Sequence, residues 1–307
     1  MNITHFEEDF ASFRKALRKL GRGIAPYLFL LPSLVFLIVF THYPIAKSLW
    51  TSLFQWNLAH PEKIWTGLNN YRRLLEDDLF WLVLRNTAFY AIGTVIPSVS
   101  LALFLAVFAN EKIRGLSIFR SAIFYPTIIP MAAAAMVWVW IYADGYGLIN
   151  YYIRQIGMQS VPWINSLEWA LPALMVVGIW KYVGYYMVIF LAGLQLIDFE
   201  LYEAATIEGA NPWTKFWRIT LPLISPTTFF VVIIAIINSF QSIDQVYIMT
   251  QGGPANATNV IVYYIYENAF LYADFGYGFT LSSVLFVILL LFTIFYFLVL
   301  SRRVHYA

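Results

Sequence analysis

The sequence predicts an all-α integral membrane protein with six transmembrane helices, and three observations carry that expectation. First, 61% of the 307 residues are hydrophobic and only 12% are charged, where a soluble domain carries about a quarter. Second, the apolar residues gather into six long runs, and a bilayer core about 30 Å thick takes about 20 such residues per helix. Third, the chain holds 26 Phe, 21 Tyr and 11 Trp, rings that suit headgroup belts, pore linings and stacking surfaces.

The first run is Ile24 to His42, "IAPYLFLLPSLVFLIVFTH". A basic stretch precedes it, but it is too long for a signal-peptide core and no small-residue cleavage site follows, so it is expected to be retained. The others are Trp81 to Phe108, long enough to tilt or protrude, Ile118 to Tyr142, Trp169 to Ile197, Ile219 to Met249 and Gly276 to Leu300. Length decides for helices, because a membrane strand needs only about ten residues. Residues 1–23, with "FEEDFASFRKALRKL", read as an amphipathic N-terminal segment on the cytoplasmic membrane surface, or equally as a solvated tail. Residues 24–303 form one membrane domain and 304–307 a short cytoplasmic tail. The longest stretches between runs, about Tyr43 to Phe80 and Met249 to Phe275, fall short of the roughly 50 residues of a small soluble domain.

Basic residues orient the spans. One side collects Arg14, Lys15, Arg18, Lys19, Arg22, Lys112, Arg114, Arg120, Lys215, Arg218, Arg302 and Arg303; the other has Lys47, Lys63, Arg72, Arg73, Arg85 and Arg154. Both termini are therefore expected in the cytoplasm, together with the segment between spans four and five.

Several chemistries are excluded or disfavoured. There is no Cys, which removes disulfides and thiolate chemistry. No phosphate-binding loop or "HExxH" occurs, and His5, His42, His60 and His305 are scattered, so neither nucleotide hydrolysis by that loop nor a histidine metal site is expected. A net charge of +2 with no long basic run does not suggest nucleic acid.

The segment "DFELYEAATIEGANPWTKFWRITLP" interrupts the oily runs. Asp198 can cap a helix, and Glu200 and Glu203 suit its first turn. Ala204, Ala205 and Ile207 make a low apolar patch, Gly209 stops or bends the helix, and Asn211-Pro212 marks a turn. Pro222 and Pro226 fit a bent entry into span five. The pattern reads as a compact knob suited to a partner's groove, or as an ordinary short helical loop.

Glu203-Ala204-Ala205, three residues, Gly209, nine residues and Ile219-x-Leu221-Pro222 resemble the EAA signature of the membrane subunits of binding-protein-dependent ABC importers. Glu208 stands where that family commonly has Asp, with charge kept. "GLNNYRRLLEDDLFWLVLRNT", "FRSAIFYPTIIP" and "TQGGPANATNVIVYYIYENAF" look like the sugar-importer branch, within it the maltose-type first permease. The likeness extends from about Pro26 to Arg303. The missing large extracellular insertion points to a glycerol-phosphate, lactose or oligosaccharide relative. The resemblance implies a subunit in the bacterial plasma membrane without catalysis of its own. It implies a second permease subunit, expected to be a different chain, two cytoplasmic ATPase subunits that use ATP and Mg, and an extracytoplasmic solute-binding protein. Glu203, Ala204, Ala205, Glu208, Gly209 and Pro222 would then belong to the helix that docks on the ATPases.

Polar groups within spans are the candidates for the solute path. Asn238, Gln241, Ser242 and Gln245 share one face of an unbroken helix, with Asp244 beside them. Span four offers Lys181, Tyr182, Tyr185 and Tyr186, whose rings can stack on a sugar and whose hydroxyls can bond it. The other reading is interhelical hydrogen bonding for the amides, and for Lys181 a pairing with Asp244 that needs a long reach. A stand-alone channel or ion-coupled transporter is the competing class; it predicts inverted repeats or paired broken helices with a mid-membrane carboxylate. A membrane-embedded hydrolase predicts clustered His and carboxylates near one interface.

Overall fold

The computed structural model describes residues 27, 29–59, 61–111, 113 and 115–300. The N-terminal segment 1–23, the tail 304–307, and Lys112, Arg114, Arg302 and Arg303 of the charge count lie outside the described residues.

Five helices among the described residues are long and apolar enough to cross a membrane, and a bent helix pair supplies a sixth crossing if it counts as one span. In chain order they begin with α1 (Phe29–Thr51). A two-stranded hairpin follows, β1 (Phe54–Gln55) with β2 (Ile64–Trp65), and then α2 (Asn69–Leu75) and the long α3 (Asp78–Ala109). The bent pair is α4 (Leu116–Ile128) and α5 (Met131–Ile141), succeeded by α6 (Leu148–Gln155) and α7 (Ala170–Leu194). Beyond come α8 (Phe199–Ile207), α9 (Pro212–Lys215), α10 (Ser225–Phe240), α11 (Asp244–Met249), α12 (Ile261–Tyr266) and α13 (Phe275–Leu300).

Three of the six runs take a different course from the one their apolar content suggests. Among the described residues the first is helical from Phe29 and continues past His42 to Thr51. A wider turn over Ile38–His42, closed by the Tyr43 N–H on the Ile38 carbonyl, accommodates Pro44, whose missing N–H reads in sequence as an exit. The run Ile118 to Tyr142 is not one straight helix but bends by 99° between α4 and α5. Pro130 cannot donate to the helical ladder, and Ile129 before it is extended at φ −65° and ψ 131°. The run Ile219 to Met249 enters through short turns at Phe216–Thr220 and Leu221–Leu223. It is then interrupted over residues 241–243, between α10 and α11.

At the centre, α3 and α7 run side by side in the same direction. Val95, Ala102 and Ala106 of α3 join Tyr186, Met187, Phe190 and Leu194 of α7 and Val231 and Ala235 of α10 in one buried cluster. A second cluster joins Tyr90, Leu174 and Val177 to Ala135 of α5 and to Val246 and Met249 of α11. Helices in lipid gain no hydrophobic drive from pairing with each other, so small residues that permit close approach decide this packing. Gly184 is the clearest case: a Cβ there would lie 2.0 Å from the Ile123 carbonyl oxygen, so α7 and α4 touch backbone to backbone.

The bundle has two distinct ends. Arg120 reaches the Ala109 carbonyl, and Tyr296 stacks on Phe229, at the end where α3, α7 and α13 finish. At the opposite end, Ser52 after α1 accepts from Asn70 and Thr280 at its carbonyl, and Gly276 donates to Trp56. Asp77 caps α3 there and accepts 2.6 Å bonds from Tyr264 and Tyr277. Arg73 pairs with Asp274 at 2.7 Å.

Candidate functional site

The segment between α7 and α10 is built from local signals. Asp198 accepts from the Glu200 N–H at 3.1 Å and starts α8. Gly209 ends it at φ +81°. The Gly209 N–H bonds the Thr206 carbonyl and the Ala210 N–H the Ala205 carbonyl, the paired bonds of a glycine stop. Asn211 then accepts from the Thr214 N–H at 2.8 Å and Pro212 opens α9. Two side-chain ties fix the angle of this knob. Tyr202 bonds Thr220 at 2.9 Å at the start of the fifth span, and Lys215 donates to Thr206 at 2.7 Å.

None of the nine residues of α8 is buried. Glu203, Ala204, Glu208 and Gly209 are exposed and Ala205 is half-buried. Ile207 is 88% exposed, and Leu196, Phe199 and Leu201 stand out with it. Ala204, Ala205 and Ile207 are legible in the sequence as an apolar patch, whereas the exposure of Leu196 and Phe199 depends on how α8 leaves the bundle. Pro222 lies in the turn Leu221–Leu223 that leads into α10.

The polar residues of the spans divide into two sets instead of sharing one face. Asn238 donates to the Tyr186 hydroxyl at 3.1 Å, and the Gln245 amide donates to the Tyr90 hydroxyl, which also bonds Ser242 at 3.2 Å. Gln245 is fully buried. Gln241 and Asp244 are exposed. The interruption over residues 241–243 is the cause: the Ile243 N–H turns back onto the Gln241 carbonyl at 2.9 Å, so a regular 100° advance per residue does not carry across it. Tyr182 stacks on Tyr186 with ring centres 6.1 Å apart, and Tyr185 tilts against the same ring at 5.7 Å. The cavity among Tyr90, Ser98, Tyr182, Tyr186, Asn238 and Ser239 measures about 10 Å³, room for about one water. It is far too small for a sugar.

Lys181 lies apart from Asp244. Its ammonium donates to the Pro126 carbonyl at 2.9 Å, to Thr127 at 3.1 Å and to Ile129. Tyr90 escaped sequence reading altogether: nothing in "RNTAFYAIG" distinguishes it from a packing tyrosine.

Comparison with known proteins gives a consistent set of relatives. The family described as "Binding-protein-dependent transport system inner membrane component" matches residues 87–305. The sn-glycerol-3-phosphate transport system permease protein UgpA of Agrobacterium fabrum is 31% identical over 284 residues, covering 92% of this chain and 97% of that protein. The trehalose/maltose transport system permease protein MalF of Thermococcus litoralis is 34% identical over 270 residues, 88% of this chain and 91% of that one. Among solved structures, a chain from a bacterial ABC transporter involved in the import of the acidic polysaccharide alginate superposes with a TM-score of 0.82, over 95% of this chain and all of that one, at 22% identity. That last likeness speaks for the fold.

Proposed function

The chain belongs to the family of binding-protein-dependent transport system inner membrane components and is a transport permease, and from that premise we propose that it forms half of the translocation path of an importer for a sugar or sugar-like solute. The observation that carries the coupling part of this reading is α8: a capped helix with no buried residue, stopped by a left-handed glycine and tied by Tyr202 and Lys215 to the entry of the fifth span. A helix so held moves with the span it is tied to. Two cytoplasmic ATPase subunits dock on it, close on binding ATP and Mg, and rock the spans from one access state to the other.

In this reading both termini and α8 lie in the cytoplasm, as the excess of Lys and Arg on that side supports. A second permease completes the path, and a solute-binding protein delivers cargo to the end formed by the β1–β2 hairpin and α2. The charged Asp244 and the neighbouring Gln241 cannot rest against lipid without large cost, so their exposed face meets the second permease and the aqueous path. Relatives named for glycerol-3-phosphate and for trehalose and maltose support an oligosaccharide, lactose-type or glycerol-phosphate-type cargo.

Substitution at Gly209 tests the docking. No atom lies within 4 Å of a Cβ built there, so Gly209→Asp adds charge at an open surface and strains a left-handed position by about 1 kcal/mol. Gly209→Asn meets a similar backbone cost without the charge. The Asp variant is expected to assemble in part yet lose uptake and solute-stimulated ATP hydrolysis, with the Asn variant less impaired. Uptake by Gly209→Asp at the parent rate would remove the assignment.

A further inference from the structure

We propose that Lys181 is a positioning residue whose ammonium caps the broken third span and thereby fixes the placement of α5 and of α11 packed upon it. Charges inside spans are read first as solute or ion contacts, and the geometry points elsewhere. The 99° bend strips the last carbonyls of α4 of their helical partners, and a membrane interior offers no water to replace them. Lys181 has three N–H donors, and they reach three carbonyls at this break, those of Pro126, Thr127 and Ile129. A cation at a helix C-terminus is also favoured by the helix dipole.

The cap is held firmly in place. Lys181 is 6% exposed, and the ion pairs found among the described residues, Arg72 with Glu76 and Arg73 with Asp274, do not include it. Thr127 returns a bond to the Lys181 carbonyl at 3.2 Å. Gly184, one turn along α7, brings the two backbones into contact, so the lysine stem spans a short, defined gap. Beyond the bend, Ala134 and Ala135 of α5 are buried, and Ala135 shares a cluster with Val246 and Met249 of α11. Capping α4 therefore sets the position of the segment that follows the interruption in the fifth span, beside Gln241 and Asp244.

The chain has no Cys, so two introduced cysteines report cleanly. Ile118→Cys on α4 and Met136→Cys on α5 are both exposed sites. Spin labels there, in the assembled transporter in lipid nanodiscs, measure the distance across the bend by double electron-electron resonance without solute or ATP. Lys181→Met is expected to shift or broaden that distance. It is also expected to lower maximal uptake by at least about tenfold while the KM for solute stays within about twofold. Lys181→Gln, which keeps amide donors, serves where the Met variant does not assemble and is expected to show a smaller shift. A parental distance distribution with KM raised about tenfold would identify Lys181 as a solute contact and overturn the proposal. The distance arm reads the bend within this chain whatever solute is carried, and is repeated on the chain purified in lipid nanodiscs by itself, so failure of the proposal is distinguishable from failure of the transport assignment.

Discussion

At the scale of single residues, Tyr90 illustrates how one hydroxyl organises a dry interior. It stands on α3 and meets Ser242 within the interruption of the fifth span and Gln245 just beyond it. Tyr90→Phe keeps the ring and leaves the buried Gln245 amide without that acceptor. A buried polar group deprived of its partner costs about 1–3 kcal/mol, so the variant is expected to unfold at lower temperature in lipid or detergent. An unchanged melting temperature would show that the amide finds another partner. Asn238 and Tyr186 form an analogous pair on the other side of the small cavity. Sequence singled out the amides, because polar residues stand out in an apolar run. It did not single out Tyr90, because one tyrosine among 21 carries no signal until its neighbours are known.

At the scale of elements, the end opposite α8 is locked by α3, α12 and α13 meeting at Asp77. Burial acts to raise that carboxyl's pKa, but the hydrogen bonds from Tyr264, Tyr277 and the Leu79 N–H outweigh it and hold it below the ordinary 3.8. A depressed carboxylate stabilises the folded state at pH above its unfolded value, and the contribution disappears as pH falls through the folded value. Proteolysis of residues 250–274 should therefore stay constant down to about pH 4 and accelerate below it. Asp77→Asn is expected to remove that acid component of the profile. An identical acid response in the variant would place the titrating group elsewhere. The helices themselves were mostly visible in advance. Their breaks were not, since length and hydropathy treat Ile129-Pro130 or Gln241-Ser242 as part of an apolar run, and such breaks survive only where neighbouring helices satisfy the freed groups.

At the scale of the whole molecule, orientation and partnership are the open tests. Ile207 and Leu58 stand exposed at opposite ends. In separate single-cysteine variants, a membrane-impermeant maleimide should modify Ile207→Cys only from the cytoplasm and Leu58→Cys only from outside; the reverse pattern would invert the topology. The full transporter should purify with ATPase subunits and a second permease, whereas a stand-alone channel or secondary transporter would purify alone.

The sequence by itself determined the membrane class, the approximate spans and the capped helix α8 with its glycine stop, because each rests on local signals: run length, caps and fixed spacing. Asp198, Gly209 and Asn211 do in the structure what their neighbours in sequence imply. Only the tertiary structure decided which intramembrane polar groups face inward and which stay open. Lys181 bonds a carbonyl 55 positions away and Tyr90 an amide 155 positions away. In lipid a freed backbone or side-chain group must find its partner within the protein, and that partner is set by which helices lie side by side.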